Sequence, residues 1–256
     1  MAVIAPGRAR RPGAARPSPE PPTPGELESC PFCAGHEEMT PPQTLVLPEE
    51  GPWSVRVVPN LYPAFERHEV VVHSPRHVRS IAELSPGEVD LVAEAWRRRA
   101  EAVSGNVFPL LNEGRDAGAS LPHSHSQLVW LPDELVPAPK ARPRGAPFLE
   151  DGGLVAVCPW ASRVPYECVI QPAEPEQGAL SSPLLSPALR LLAELVRRLH
   201  ALEGVVALNA WLEHSADDWR IVLLPRLTVF AALEVGAGVF VDTLEPDEAA
   251  RRLQAL

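Results

Sequence analysis

The chain repeats itself once, and this internal repeat restricts its possible folds more than any other pattern in its 256 residues. A strand-like Val-x-Val-x-Pro segment occurs at 55–59 and again at 155–159, and a second apolar strand follows each copy. A helical segment comes next, preceded by Ser85-Pro86 in one copy and Ser186-Pro187 in the other. Serine suits a helix N-cap and proline the first turn. After the helix each copy has a glycine, a strand, a loop and a strand ending in Leu-Pro, which predicts two β-β-α-β-β units.

Two such units in one chain predict an α+β protein built as an internal pseudo-dimer with an antiparallel sheet. We place the N-terminal unit at 1–132, a proline-rich linker at 133–148 and the C-terminal unit at 149–256. The two copies differ in chemistry. When they are aligned on their Leu-Pro ends, Asp218 and Arg220 replace His125 and Gln127 of the first copy. One active site per chain follows, with the second copy as its support.

Composition excludes several classes of partner. The net charge of −10 argues against a nucleic-acid-binding protein, which needs a basic face. Four cysteines are too few for a disulfide framework in a chain of this size. The first eleven residues lack the apolar core of a signal peptide, and no apolar stretch is long enough to cross a bilayer. We therefore expect a cytoplasmic enzyme with no nucleic-acid or membrane partner.

The sequence His-Ser-His-Ser-Gln at 123–127 carries the clearest chemical signal. Because successive side chains of a strand point to opposite faces, His123, His125 and Gln127 share one face. Such a row suits a metal ligand beside a nucleophile, since a metal holds one imidazole while its neighbour stays free.

A Cys-x-x-Cys pair, Cys30 and Cys33, has the spacing of two ligands of one tetrahedral zinc. Two more ligands are needed to complete a structural site. From the residues alone His123 is one candidate, and the remaining candidates in the first half are His36, His68, His73 and His77.

These motifs resemble the galactose-1-phosphate uridylyltransferase family, a branch of the histidine-triad superfamily. The resemblance covers nearly the whole chain and follows the family's order: CPFCAGHE at 30–37, VRVVPNLYPAF at 55–65, LNEGRDAGASLPHSHSQ at 111–127 and LEVGAGV at 233–239. The sequence departs from the family where two serines replace the proline and glycine of its commonest motif, His-Pro-His-Gly-Gln. That variant also occurs in relatives that act on other nucleotides. Leu233 stands where the family usually has an aromatic residue.

The resemblance implies two tandem histidine-triad-like units and a role for individual residues. His125 matches the nucleophile, and Gln127 matches the glutamine that hydrogen-bonds the substrate phosphate. The implied Zn²⁺ ligands are Cys30, Cys33, His77 and His123. The predicted substrate-binding residues are Arg8, Arg11, Asn60, Asn112, Gly118, Ser120 and Glu234.

The function predicted first is that of a UDP-glucose:hexose-1-phosphate uridylyltransferase of galactose metabolism, acting through a uridylyl-histidine. Its partners would be a nucleotide sugar and a sugar 1-phosphate. A homodimer is the expected assembly to test, since the family's counterparts of Arg8 and Arg11 reach a neighbouring subunit.

The residue at position 127 bears on the type of reaction. Hydrolytic histidine-triad proteins carry a third histidine at the position of Gln127. An amide cannot donate a proton as that histidine does, which favours a transferase. The alternatives are a phosphorylase of ADP-glucose or a dinucleoside polyphosphate with the same nucleophile, and a non-catalytic zinc-structured nucleotide-binding protein.

Overall fold

The computed structural model describes residues 2–4, 22–137, 141–215 and 217–256. Within these ranges the strands are β1 (Ala2–Ile4), β2 (Leu45–Leu47), β3 (Val55–Pro59), β4 (His68–Val72), β5 (Asn106–Glu113), β6 (His125–Leu131), β7 (Pro147–Asp151), β8 (Leu154–Val157), β9 (Cys168–Pro172), β10 (Leu208–His214), β11 (Trp219–Pro225) and β12 (Phe240–Asp242). The α-helices of the same ranges are α1 (Pro24–Ser29), α2 (Pro86–Ala102), α3 (Leu185–Glu203), α4 (Ala232–Ala237) and α5 (Pro246–Gln254).

Ten strands form one antiparallel sheet in the order β2-β3-β4-β6-β5-β10-β11-β9-β8-β7. The order reads the same from both ends when each strand is replaced by its repeat partner. The two halves meet where β5 pairs with β10, and Asn112 lies opposite Asn209 at this junction. The predicted α+β fold with a large antiparallel sheet is therefore confirmed. The domain boundaries stay a prediction, and β7 begins inside the predicted linker.

The two faces of the sheet have different coverings. Helices α2 and α3 pack against each other and bury side chains such as Val92 and Leu189 against one face. On the opposite face of the first half, the segment that carries Cys30 and Phe32 covers Val70. Because side chains alternate along β6, this second face also receives the odd-numbered residues 125, 127 and 129.

The two long helices begin differently, although the repeat predicts the same cap for both. Ser85 caps α2 as expected, since its hydroxyl accepts from the Glu88 N–H and the Glu88 carboxylate accepts from the Ser85 N–H. The prediction of Ser186 as the cap of α3 is wrong, because Leu184 occupies that position. Ser186 lies in the first turn and donates to Asp90 instead. The helix starts earlier, at Leu185, which is completely buried, and this burial favours the helical position of Leu185 against the core.

Outside the main sheet, β1 pairs with β12 in parallel. Among the residues that the structure describes, no helix combines the length and the apolar character needed to cross a bilayer.

Candidate active site

Four side chains from three separate segments converge beside the start of β6. Cys30 and Cys33 lie on a turn after α1, His77 follows β4, and His123 precedes β6. Their ligand atoms all lie within 4.8 Å of one another. The Cys30 Sγ lies 3.4 Å from the His123 Nδ1, and the Cys33 Sγ lies 3.3 Å from the His77 Nδ1. Two sulfurs and two imidazole nitrogens at this spacing can surround one metal ion.

Hydrogen bonds outside the cluster hold both imidazoles in the orientation that a metal requires. The His77 Nε2 lies 2.8 Å from a carboxylate oxygen of Glu26. The His123 Nε2–H donates to the Ser74 carbonyl oxygen at 3.0 Å. Each ring thus uses its Nε2 for an outer partner and directs its Nδ1 at the sulfurs, as metal-ligating histidines do.

The Cys33 thiol does not ionise readily on its own. Burial and the neighbouring Cys30 raise the pKa of Cys33 to about 12. A divalent ion held by these four side chains would favour the thiolate form, because metal ligands of this kind are deprotonated cysteines. The donor set and its outer hydrogen bonds therefore fit a structural tetrahedral metal site.

The other candidate histidines have different partners. The His36 Nδ1 lies 2.7 Å from the Cys30 carbonyl oxygen, which it contacts instead of the thiols. His73 contacts the buried Ser124 and Ser126, and His68 contacts Gln127. Of the candidates that spacing left open, the structure brings His77 and His123 to the cysteines.

His125 is the first residue of β6 and has a free ring nitrogen. Its Nδ1–H donates to the His123 carbonyl oxygen at 2.7 Å, which leaves the Nε2 as the nitrogen with a lone pair. The side chain is 6% exposed, and the Phe32 ring packs edge-on against it at 5.2 Å. Burial lowers the pKa of His125. The imidazole therefore stays neutral at pH 7, the form that acts as a nucleophile.

Gln127 lies two residues further along the same face and is more exposed than His125. Its Oε1 lies 2.7 Å from the Nε2 of His68, a residue of β4. The sequence analysis predicted no role for His68 other than that of a candidate metal ligand. Its contact with Gln127 depends on the register of β4 against β6, which the sequence pattern does not specify.

The serines of the His-Ser-His-Ser-Gln motif point to the opposite face and bind one buried histidine. His73 contacts the Ser124 hydroxyl through Nδ1 and the Ser126 hydroxyl through Nε2, both at 2.9 Å. Ser124 donates onward to Glu113, and Trp96 donates to Ser126. These hydrogen bonds hold the start of β6 on the face opposite His125. The feature of the sequence that indicated them was the pair of serines that depart from the family motif.

The remaining predicted substrate residues are spread over several elements. Asn112 is held by Asn209 of the second half, whose Nδ2 lies 2.7 Å from the Asn112 Oδ1. The Asn60 Oδ1 accepts from the Tyr62 N–H at 2.9 Å. Gly118 and Ser120 lie in the exposed connection before His123, and Gly118 has a φ of 87°.

Glu234 and the two arginines complete the set of predicted substrate residues. The Glu234 carboxylate is buried and accepts from the Ala231 N–H at 2.9 Å, so it caps α4. Arg8 and Arg11 lie outside the described residues.

The second half replaces the histidines with internal ion pairs. Arg220 bonds Glu213, with its Nη2 2.8 Å from a carboxylate oxygen. Asp218 accepts from Arg142 at 2.7 Å. These side chains stabilise the second half and offer no imidazole nucleophile.

Comparison with known proteins finds relatives of this chain. A family model described as galactose-1-phosphate uridyl transferase, N-terminal domain, matches residues 62–135. The ADP-glucose phosphorylase of Arabidopsis thaliana is 24% identical over 313 aligned positions, which span 97% of this chain and 88% of that protein. The galactose-1-phosphate uridylyltransferase of Streptomyces lividans is 31% identical over 113 positions, which span 41% of this chain and 30% of that protein.

Solved structures share the fold. The ADP-glucose phosphorylase from Arabidopsis thaliana with bound ADP-glucose superposes with a TM-score of 0.82 at 21% identity, over 99% of this chain and 94% of that one. A structure described as a uridylyltransferase superposes with a TM-score of 0.71 at 20% identity, over 94% of each chain. The chain is therefore similar to nucleotidyl-transferring enzymes of the galactose-1-phosphate uridylyltransferase family, over residues 62–135 by the family model and over nearly its whole length by the phosphorylase relative.

Proposed function

We propose that this protein transfers a nucleotidyl group from a nucleoside diphosphate sugar to a phosphate acceptor through a covalent intermediate on His125. The observation that carries the proposal is the hydrogen bond from the His125 Nδ1–H to the His123 carbonyl oxygen. It fixes the tautomer in which the Nε2 lone pair is available for attack on phosphorus.

The chemistry proceeds as two displacements. In the first, the His125 Nε2 forms a bond with the α-phosphorus, and the bond from that phosphorus to the bridging oxygen breaks, which releases the sugar 1-phosphate. The ring gains positive charge, and the His123 carbonyl oxygen stabilises it through the Nδ1–H. In the second, a phosphate oxygen attacks the same phosphorus and His125 leaves as neutral imidazole. Neither displacement requires the ring to gain or lose a proton.

Donors beside His125 stabilise the charge that develops on the phosphoryl oxygens. Gln127 and Ser120 are the proposed side-chain donors, and removal of one such donor typically costs about 3–4 kcal/mol of barrier. We propose that Zn²⁺ is held by Cys30, Cys33, His77 and His123. Its role is structural, because it braces the segment from which His123 presents its carbonyl oxygen to His125.

The proposed substrates are ADP-glucose and inorganic phosphate, so the enzyme would be a phosphorylase. The support is the extent of the alignment, since the phosphorylase relative aligns with 97% of this chain. The second candidate is the uridylyl transfer from UDP-glucose to a hexose 1-phosphate that the sequence motifs suggested first. It is supported by the match of residues 62–135 to the uridyl transferase family model.

Intact mass spectrometry tests the intermediate and the base together. Incubation with ADP-glucose alone should add one adenylyl group per chain, and inorganic phosphate should remove it with release of ADP. A uridylyl adduct formed only from UDP-glucose would instead establish the second candidate. His125→Ala should take neither adduct, with an unchanged circular dichroism spectrum. Nucleotide binding without any acid-labile adduct on the wild-type chain would refute both candidates.

Arg8, Arg11 and a homodimer stay predictions of the family resemblance. They belong together, because the resemblance implies that these arginines approach the nucleotide phosphates of a neighbouring subunit. Light scattering measures the assembly directly, and Arg8→Ala with Arg11→Ala should weaken nucleotide binding in the dimer.

A further inference from the structure

We propose that His68 is a positioning residue that fixes the orientation of the Gln127 amide, so that its NH₂ group and not its oxygen faces the substrate phosphate. The inference rests on the proposed function, since it concerns the donor that Gln127 offers to the reacting phosphoryl group. Nothing in the sequence pattern links the two residues, which are 59 positions apart.

The backbone fixes which nitrogen of His68 carries the proton. The Ala64 N–H donates to the His68 Nδ1 at 3.1 Å. A backbone N–H can only donate, so the Nδ1 holds the lone pair and the proton of the neutral ring is on the Nε2.

The protonated Nε2 in turn fixes the amide. It lies 2.7 Å from the Gln127 Oε1, which accepts its proton. The Asn60 Nδ2 lies 3.1 Å from the same nitrogen, but it is a donor and cannot accept. The Asn60 amide has its own constraint, because its Oδ1 accepts from the Tyr62 N–H. With the Oε1 of Gln127 engaged by His68, both N–H groups of its NH₂ face the other way.

The position of His68 makes this constraint rigid. His68 and Gln127 lie on adjacent strands and on one face, since Val70 pairs with Gln127 and His68 pairs with Val129. His68 is only 9% exposed, so water competes little for its hydrogen bond. An amide that turned over would present its oxygen to the anionic phosphoryl oxygens. The donor would then become a source of repulsion at the point where negative charge develops.

An isosteric pair of variants tests the donor role of His68. His68→Gln keeps an N–H donor toward the Gln127 Oε1. His68→Glu offers only acceptor oxygens, which favour the inverted Gln127 amide. The Ala64 N–H and the Asn60 amide can still donate to the introduced carboxylate. The readout is the single-turnover rate of adduct formation on His125 with ADP-glucose and with UDP-glucose. We expect His68→Gln to stay near the wild-type rate and His68→Glu to lose on the order of ten- to a hundredfold in that rate, with a smaller change in the half-saturating concentration.

Two controls separate orientation from charge and from stability. The same pair of substitutions at His214, an exposed residue whose Nε2–H donates to the Val107 carbonyl oxygen, should leave the rate unchanged. In a Gln127→Ala background, His68→Gln and His68→Glu should give equal rates, because no amide remains to be oriented. Two outcomes would overturn the inference and leave the proposed function intact. One is equal rates for His68→Gln and His68→Glu in the chain that keeps Gln127. The other is a loss from His68→Glu that is just as large in the Gln127→Ala background. A wild-type chain that takes no adduct would overturn the proposed function and this inference with it.

Discussion

At the scale of single residues, the buried His73 explains the serines that depart from the family's commonest motif. The Ser124 hydroxyl donates to Glu113, so it accepts the proton of the His73 Nδ1. Ser126 accepts from the Trp96 N–H and donates to the His73 Nε2. Burial lowers the pKa of His73 well below its usual value, so the ring is neutral and needs one donor and one acceptor. The two serines supply them.

Ser126→Ala should therefore destabilise the protein by about 1–3 kcal/mol, because it leaves ring nitrogens of His73 and Trp96 buried without partners. Urea denaturation followed by tryptophan fluorescence measures this loss. The exposed Ser120 provides the matched control, and Ser120→Ala should change the unfolding free energy by less than about 0.5 kcal/mol. His73→Leu in the Ser126→Ala background should recover part of the loss, since an apolar side chain needs no partner. A further loss from His73→Leu would contradict this account of the two serines.

At the scale of elements, the two long helices show where a local signal is sufficient and where burial overrides it. Ser85 followed by Glu88 is a complete capping box, and α2 begins there. Ser186 is followed by an apolar run without an acidic partner, and the helix extends past it to Leu185. The core packing of α3 therefore decides its start.

Alanine substitutions of Ser85 and Ser186 test which of the two serines caps its helix. Ser85→Ala should lower the unfolding free energy by about 1 kcal/mol, because the first turn of α2 loses its cap. Ser186→Ala should cost less than about 0.5 kcal/mol, since it removes only a partly exposed hydroxyl that donates to Asp90. Chemical denaturation of both variants under one set of conditions compares them, and equal losses would be evidence for a cap at Ser186.

At the scale of the whole molecule, the cluster of two cysteines and two histidines joins segments that are far apart in sequence. Cys33 and His123 are 90 residues apart, yet the Sγ of one lies 3.7 Å from the Nδ1 of the other. An ion bound there would tie the covering segment of the first half to the start of the strand that carries His125.

Cys33→Ser should abolish stoichiometric zinc in the purified protein and lower the midpoint of thermal unfolding by on the order of 10 °C, given roughly 2–4 °C per kcal/mol for a chain of this size. Elemental analysis and calorimetry make the two measurements. Cys158→Ser is the matched control, because Cys158 is buried beside Cys168 in the second half, where the two sulfurs lie 3.7 Å apart. It should retain the metal. Full zinc occupancy in Cys33→Ser would show that the cluster is not the metal site.

The order of residues was enough to predict the α+β repeat, the cap of α2 and the shared face of His123, His125 and Gln127. Each depends on periodicity or on residues a few positions apart, and such local relations can be read directly from the order of residues. Three contacts became visible only in the folded chain: His77 lies beside the cysteines, His73 lies between two serines, and His68 contacts Gln127. These contacts join residues 44 to 59 positions apart, and for His68 and His73 the register of β4 against β6 sets the distance.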